Sequence, residues 1–184
     1  IYIRKTERMK VIIAEKPSVA QQIAAVVGAT TRREGYIEGG GYAVTWAFGH
    51  LVGPAMPEAY GIEGFKRENL PILPETFILE PRRVKSGKEY KPDPGAVKQL
   101  AVLKELFFRA ERIVVATDAG REGELIFRFI YHYLDCKTPF ERLWISSLTE
   151  RAIREGLQQL RPGQEYDNLY LSAKARSEAD WIVG

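Results

Sequence analysis

Ile113-Val114-Val115-Ala116-Thr117-Asp118-Ala119-Gly120-Arg121-Glu122-Gly123-Glu124-Leu125-Ile126 is the stretch whose reading decides the fold. Its apolar, β-branched opening predicts a strand buried on both faces, as in a parallel sheet. Leu125, Ile126, Phe129 and Tyr133 follow at spacings of one, three and four residues, which places them on one side of a helix. Between strand and helix stand Asp118, Glu122 and Glu124 with Arg121, at the carboxyl end of the strand, where open α/β sheets place their ligands. Gly120 and Gly123 let the backbone turn and a ligand come close. Carboxylates gathered there suit Mg²⁺, which takes one or two of them, keeps several waters and completes its shell with substrate phosphates. The same residues also suit a plainer role, Asp118 capping the helix and Glu122 and Glu124 complementing its dipole. The stretch alone leaves both open.

Working outward, Lys10–Ala14 predicts a first strand, and Val19, Ile23, Val26 and Val27 a helix after it. Ser18 and Gln21 fit a capping box, and Gly28 fits the helix end. Glu15 and Lys16 therefore sit at a second strand-to-helix junction. Parallel strands put such junctions on one edge, so Glu15 and Asp118 are placed to face one site; alone, Glu15-Lys16 reads as a pair of solvated loop charges.

Gly35–Glu38 and Tyr42–Phe48 read as strands joined at Gly39-Gly40-Gly41. His50, just beyond, reads as structural, and His132 likewise. Residues 54–94 read as irregular surface with one short strand, Thr76–Leu79. Within them Arg82, Arg83, Lys85, Lys88 and Lys91 are spread through a loop around Tyr90, able to touch a phosphate backbone but individually ordinary solvated charges. Gly95–Arg109 predicts a helix with Val97, Leu100, Leu103 and Phe107 inward, and Phe140–Ser146 a strand. Leu148–Leu160 predicts a helix capped through Ser147 and Glu150, and Tyr166–Val183 a last helix beyond the break at Arg161-Pro162-Gly163.

Composition narrows the class. The 184 residues suffice for one sizeable core and part of a second domain. Apolar residues are 45% and charged residues 28%, ordinary for a globular protein. A net charge of +3 permits nucleic-acid binding without demanding it. Cys136 is the single cysteine, which excludes an internal disulfide and a multi-cysteine zinc site and agrees with a reducing, cytoplasmic setting. No apolar run is long enough to span a membrane, so no membrane partner is expected. Met9 lies just before the first strand, and residues 1–8 read as a tail outside the domain.

Four blocks together carry a resemblance. Ile12-Ile13-Ala14-Glu15-Lys16-Pro17-Ser18-Val19-Ala20 resembles the opening of the type IA DNA topoisomerases, and Thr45–Leu51 their next block. Ala116–Glu124 resembles the acidic motif of the Toprim domain. Ser172–Trp181 resembles the first helix of the domain that follows it. The resemblance implies a Rossmann-like α/β Toprim fold, a mostly parallel sheet flanked by helices over residues 9–160, with 161–184 beginning a helical domain. It implies a family that cuts one DNA strand through a 5′-phosphotyrosyl bond, passes another strand and reseals. Glu15 would then manage the proton on the leaving 3′-oxygen, at or near Mg²⁺, and Lys16 would stabilise the scissile phosphate. Asp118 and Glu122 would be metal ligands, and Arg176 would reach the phosphate, held by Asp180 one turn on. The expected partners are DNA, single-stranded at the cleavage site, and further domains of the same polypeptide.

Two departures stand out. The family motif usually carries a second aspartate where this chain has Gly120. No tyrosine here sits in the nucleophile's motif, so the chain is expected to be a fragment, inactive alone. Two alternatives remain: another Toprim protein (a primase or a nuclease), which should lack Glu15-Lys16-Pro17-Ser18 and the Arg176/Asp180 helix, and a non-catalytic DNA-binding Toprim module that keeps the fold and has lost a ligand at Gly120.

Overall fold

A computed structural model describes residues 8–184; most of the expected tail lies outside the described residues. The chain runs β1 (Met9–Ala14), α1 (Pro17–Val27), β2 (Thr31–Arg33), β3 (Tyr36–Gly39), β4 (Tyr42–Trp46), β5 (Val52–Pro54), β6 (Leu79–Pro81), β7 (Arg83–Ser86), β8 (Glu89–Pro92), α2 (Pro94–Arg109), β9 (Ala110–Ala116), α3 (Arg121–Tyr133), β10 (Phe140–Arg142), α4 (Glu150–Gln158), β11 (Arg161–Pro162) and α5 (Asp167–Val183). The main sheet has the order β11-β10-β9-β1-β4-β3-β2. Its centre, β10-β9-β1-β4, is parallel, and its margins are antiparallel.

The alternation of side chains explains the layers. Val11 and Ile13 of β1, with Ile113 and Val115 of β9, face one core, which α2, α3 and α5 cover. Ile12 and Ala14, with Val114 and Ala116, face the other, which α1 and α4 cover. Each fully buried Val or Ile on these strands contributes about 1.5–3 kcal/mol over an exposed position, so the β1–β9 pair anchors the fold.

The handedness of the layers locates the site. The chain leaves β1 for a helix on one face and leaves β9 for a helix on the other. Adjacent strands whose connections part in this way open a crevice between their carboxyl ends. Glu15-Lys16 and residues 117–120 are the two loops that border it.

Several expectations need correcting. Lys16, not Ser18, occupies the N-cap of α1, with no side-chain cap bond, because Pro17 takes the first helical position. Gly28 closes the helix at φ 78°, as expected. Thr149, not Ser147, caps α4, accepting from Ala152 N at 3.2 Å. Residues 54–94 are more ordered than expected. β5 and β6 form one antiparallel ribbon, and β7 and β8 a second, around Gly87 at φ 65°. Val97 is exposed, and Leu106 takes an inward place on α2. α3 is buried on all sides from Gly123 to Ile130, because α5 covers the face turned from the sheet. Tyr170 and Ala173 of α5 belong to that core. Trp181 fixes the far end of α5: its indole N–H donates to Ala55 O at 3.0 Å, and its ring meets Tyr60, Phe65 and Phe77 edge-on. Among the described residues no helix is long and apolar enough to cross a membrane.

Candidate active site

The crevice brings Glu15 and Asp118 together. Glu15 is 9% exposed, and its Oε1 is buried with no hydrogen-bond donor. Its pKa is raised to about 7, first by burial and then by the neighbouring Asp118 carboxyl group. The Asp118 backbone N–H and the Lys16 charge pull weakly the other way. Two carboxylates this close need a proton or a cation between them. Lys16 is exposed at the N-terminus of α1, whose first turn carries no acidic residue, so its ammonium and the free helical N–H groups present positive charge at one rim.

The loop after β9 is held from beneath. Arg142, 1% exposed, donates to Val115 O at 3.0 Å and to Asp118 O at 2.8 Å. Burial lowers its pKa, and Glu124 opposes that most strongly. Thr117 Oγ1 donates to Gly123 O at 2.8 Å. Gly123 is demanded by close approach: a Cβ there would stand 1.9 Å from Asp118 O. Gly120 is not demanded. Its φ of 162° is extended backbone, and a Cβ would meet nothing within 4 Å, so the strain expected of a positive φ is absent.

The remaining expected residues lie in a neighbouring cleft of about 840 Å³ between α3, α5 and the two ribbons. Glu122 lines it and is bonded to His50 Nε2 rather than joined to the Glu15–Asp118 pair. Arg121, Arg176 and Asp180 line it too. Arg176 Nε and Asp180 Oδ2 are 3.9 Å apart and both side chains are largely exposed, a loose pair whose charges remain available. Glu15, Lys16 and Asp118 are not part of the lining. Among the described residues no three metal-ligating side chains form one group.

Glu124 is absorbed elsewhere. It is 1% exposed, with Arg128 Nε at 2.9 Å and Arg142 Nε at 3.2 Å. Arg128 reaches on to Gly163 O at 2.8 Å and Asp167 Oδ1 at 2.8 Å. Sequence reasoning missed Arg142 and Arg128, since nothing in the pattern sets a buried arginine apart from a surface one. It also set His50 aside as structural; its place in the Thr45–Leu51 block was the one signal that could have found it.

The sequence model of the Toprim domain matches residues 10–148. The chain belongs to the Toprim domain family. It is 50% identical over 176 residues to DNA topoisomerase 3 of Bacillus subtilis (strain 168), covering 95% of this chain and 23% of that protein. It is 46% identical over 181 residues to DNA topoisomerase 3 of Shouchella clausii (strain KSM-K16), covering 96% of this chain and 23% of that protein. The chain thus spans about a quarter of the length of these relatives. Among solved structures, full-length topoisomerase I from Thermotoga maritima aligns with 83% of this Toprim chain and 21% of its own, at 25% identity and a TM-score of 0.47.

Proposed function

We propose that the chain is the metal- and phosphate-binding part of a type IA DNA topoisomerase, acting on DNA that is single-stranded at the cleavage site. The observation that carries the reading is the Glu15–Asp118 pair at the switch point, with one buried carboxylate oxygen lacking any donor. Its hard oxygen donors fit Mg²⁺, which takes one or two carboxylates and fills its shell with waters and phosphate. Asp118 and Glu15 would hold the ion, and Glu122 can reach it only on leaving His50. Bound there, Mg²⁺ would supply positive charge beside the scissile phosphate.

The chain's own residues supply the rest. In the metal-free protein the Glu15 carboxyl, with a pKa of about 7, holds a proton for part of the time at neutral pH, so while no ion occupies that oxygen it suits a donor to a leaving 3′-oxygen. Lys16 and the N-terminus of α1 would clamp the phosphate. Arg176 would reach it from the cleft, with Asp180 orienting the guanidinium. The nucleophilic tyrosine would come from further domains of the same polypeptide, in the cytoplasm. Alone, the chain is expected neither to relax supercoiled DNA nor to form a covalent DNA adduct.

The test is a hybrid in which this chain replaces the matching segment of the Bacillus subtilis relative. The hybrid should relax supercoiled DNA with Mg²⁺, and its Asp118→Asn variant should not. A folded hybrid without activity, or an Asp118→Asn hybrid with full activity, overturns the proposal.

A further inference from the structure

The β7–β8 ribbon is an exposed, strongly basic feature outside the crevice. Residues 83–92 hold Arg83, Lys85, Lys88 and Lys91 against the single acid Glu89, and every residue of both strands is exposed. Two of the cations are committed: Arg83 to Glu80 at 3.1 Å, and Lys91 to Glu89 at 3.9 Å. Lys85 and Lys88 have no carboxylate at ion-pair distance among the described residues.

Register decides where these charges point. Arg83 pairs with Pro92 and Lys85 with Tyr90, so Arg83, Lys85 and Tyr90 share one face of the ribbon. Arg83 and Tyr90 line the cleft, with Arg82, Arg121 and Arg176 and the acids Glu80, Glu122 and Asp180. Lys85 adds an unpaired positive charge on the same ribbon face as Arg83 and Tyr90, and Lys88 follows at the turn. Tyr90 is 62% exposed, which leaves its ring face open at the rim.

The ribbon's base is fixed to the site. Arg82 donates to Asp93 Oδ2 at 2.7 Å and to Phe48 O at 3.1 Å, and its guanidinium lies 4.9 Å from the centre of the Phe48 ring. The same guanidinium holds the carboxyl of Asp93 below the usual carboxylate range. Phe48 lies two residues from His50, the partner of Glu122, so the ribbon cannot swing freely of the cleft.

We infer that this ribbon guides a single-stranded nucleic acid as it leaves the cleft, Lys85 and Lys88 contacting phosphates and Tyr90 stacking on an unpaired base. The inference rests on the proposed function and extends its strand path beyond the cleft. An exposed aromatic interleaved with unpaired lysines is the arrangement that binds single strands without reading sequence. A duplex offers Tyr90 no open base face, and an acidic peptide gives it nothing to stack on.

The test measures binding of a labelled oligothymidylate to the chain by fluorescence anisotropy at a series of salt concentrations. The Lys85→Ala/Lys88→Ala variant should lower the slope of log affinity against log salt by about 1.4, roughly 0.7 for each phosphate that is no longer neutralised. Tyr90→Leu should weaken binding by roughly fivefold or more at every salt concentration, and Tyr90→Phe should bind as the parent does. Arg151→Ala/Arg154→Ala removes the same charge from the helix on the other sheet face and should leave the slope unchanged. An unaltered slope in the lysine variant, an equal loss in the α4 variant, no binding at low salt, or equal competition by duplex DNA or polyglutamate overturns the inference. A hybrid topoisomerase that relaxes DNA while the ribbon variants bind normally defeats the ribbon alone. An inactive hybrid whose chain still binds through the ribbon defeats the functional reading alone.

Discussion

Replacing Glu15 with glutamine should stabilise the metal-free protein, and the effect should depend on pH in one direction. The folded state raises the Glu15 pKa from 4.5 to about 7 by burying the group and setting it beside Asp118. Between those values the folded protein keeps a proton that the unfolded chain releases. The stabilisation is therefore fully present below pH 4.5, is lost as pH rises through 7, and is flat above. At ~1.4 kcal/mol for each pH unit the full range corresponds to ~3.5 kcal/mol. Asp118 is exposed and water screens part of its charge, so about 2 kcal/mol is the expected size. The glutamine side chain imitates the protonated acid, because its amide can donate to Asp118 as the carboxyl proton would. In EDTA at pH 8, Glu15→Gln should melt about 4–8 °C above the parent. At pH 4.5 the two should coincide. Added Mg²⁺ should raise the parent and leave the variant nearly unmoved. The assay is urea and thermal unfolding across pH 4.5–8, read as the difference between the two proteins. A difference that is flat with pH, or a variant less stable than the parent at pH 8, would refute the paired-carboxylate reasoning.

Three further outcomes follow from the same geometry. Gly123→Ala should cost at least about 2–3 kcal/mol in unfolding experiments and displace the loop, since its Cβ would overlap Asp118 O; a neutral substitution would show that the loop yields. Gly120→Asp should fold within about 1 kcal/mol of the parent, because aspartate suits an N-cap and its Cβ meets nothing, and calorimetry should find tighter Mg²⁺ binding; equal binding would place residue 120 away from the ion. Trp181→Ala should cost about 2–4 kcal/mol and raise hydrogen exchange in both α5 and residues 55–78, since one indole joins them; exchange rising in α5 alone would contradict that.

The parallel centre of the sheet was legible because burial on both faces leaves near-continuous apolar runs, as in Val11–Ala14 and Ile113–Ala116. The two ribbons were not. β5 and β6 have three residues each and contain prolines, and β7 and β8 bury nothing, so neither run nor alternation marks them. The buried outer face of α3 escaped for a related reason. Periodicity reports one apolar stripe, and here neighbours on other sides bury more of the helix: Phe107 and Phe140 enclose Phe127, Arg142 meets Glu124, and Asp167 and Tyr170 of α5 meet Arg128. At the site, two strand-to-helix junctions sufficed to pair Glu15 with Asp118. They could not show that Glu122, four residues later, turns to His50 instead. Asp118 lies in the loop before α3 and Glu122 in its first turn, and which neighbour Glu122 meets depends on how the chain folds after β4.

Glu124 shows how closely structural and chemical carboxylates can be interleaved. It belongs to the acidic motif by sequence, yet it is buried between two arginines, a role that bare spacing does not distinguish from ligation. Its position makes physical sense only as the centre of a network. Arg142 would be an uncompensated buried charge without it, and Arg128 would keep only the half-exposed Asp167. Through Arg142 it steadies the carbonyls of Val115 and Asp118, and through Arg128 it steadies Gly163 and Asp167 at the start of α5. The loop that presents Asp118 and the helix that presents Arg176 are thereby tied to one carboxylate. Their separation is then set by a buried contact rather than by the exposed 3.9 Å pair between Arg176 and Asp180, which water and salt can loosen. A phosphate clamp of the proposed kind, drawing on two elements, would need such a fixed distance, and the buried network would supply it at the position where the motif continues into the helix.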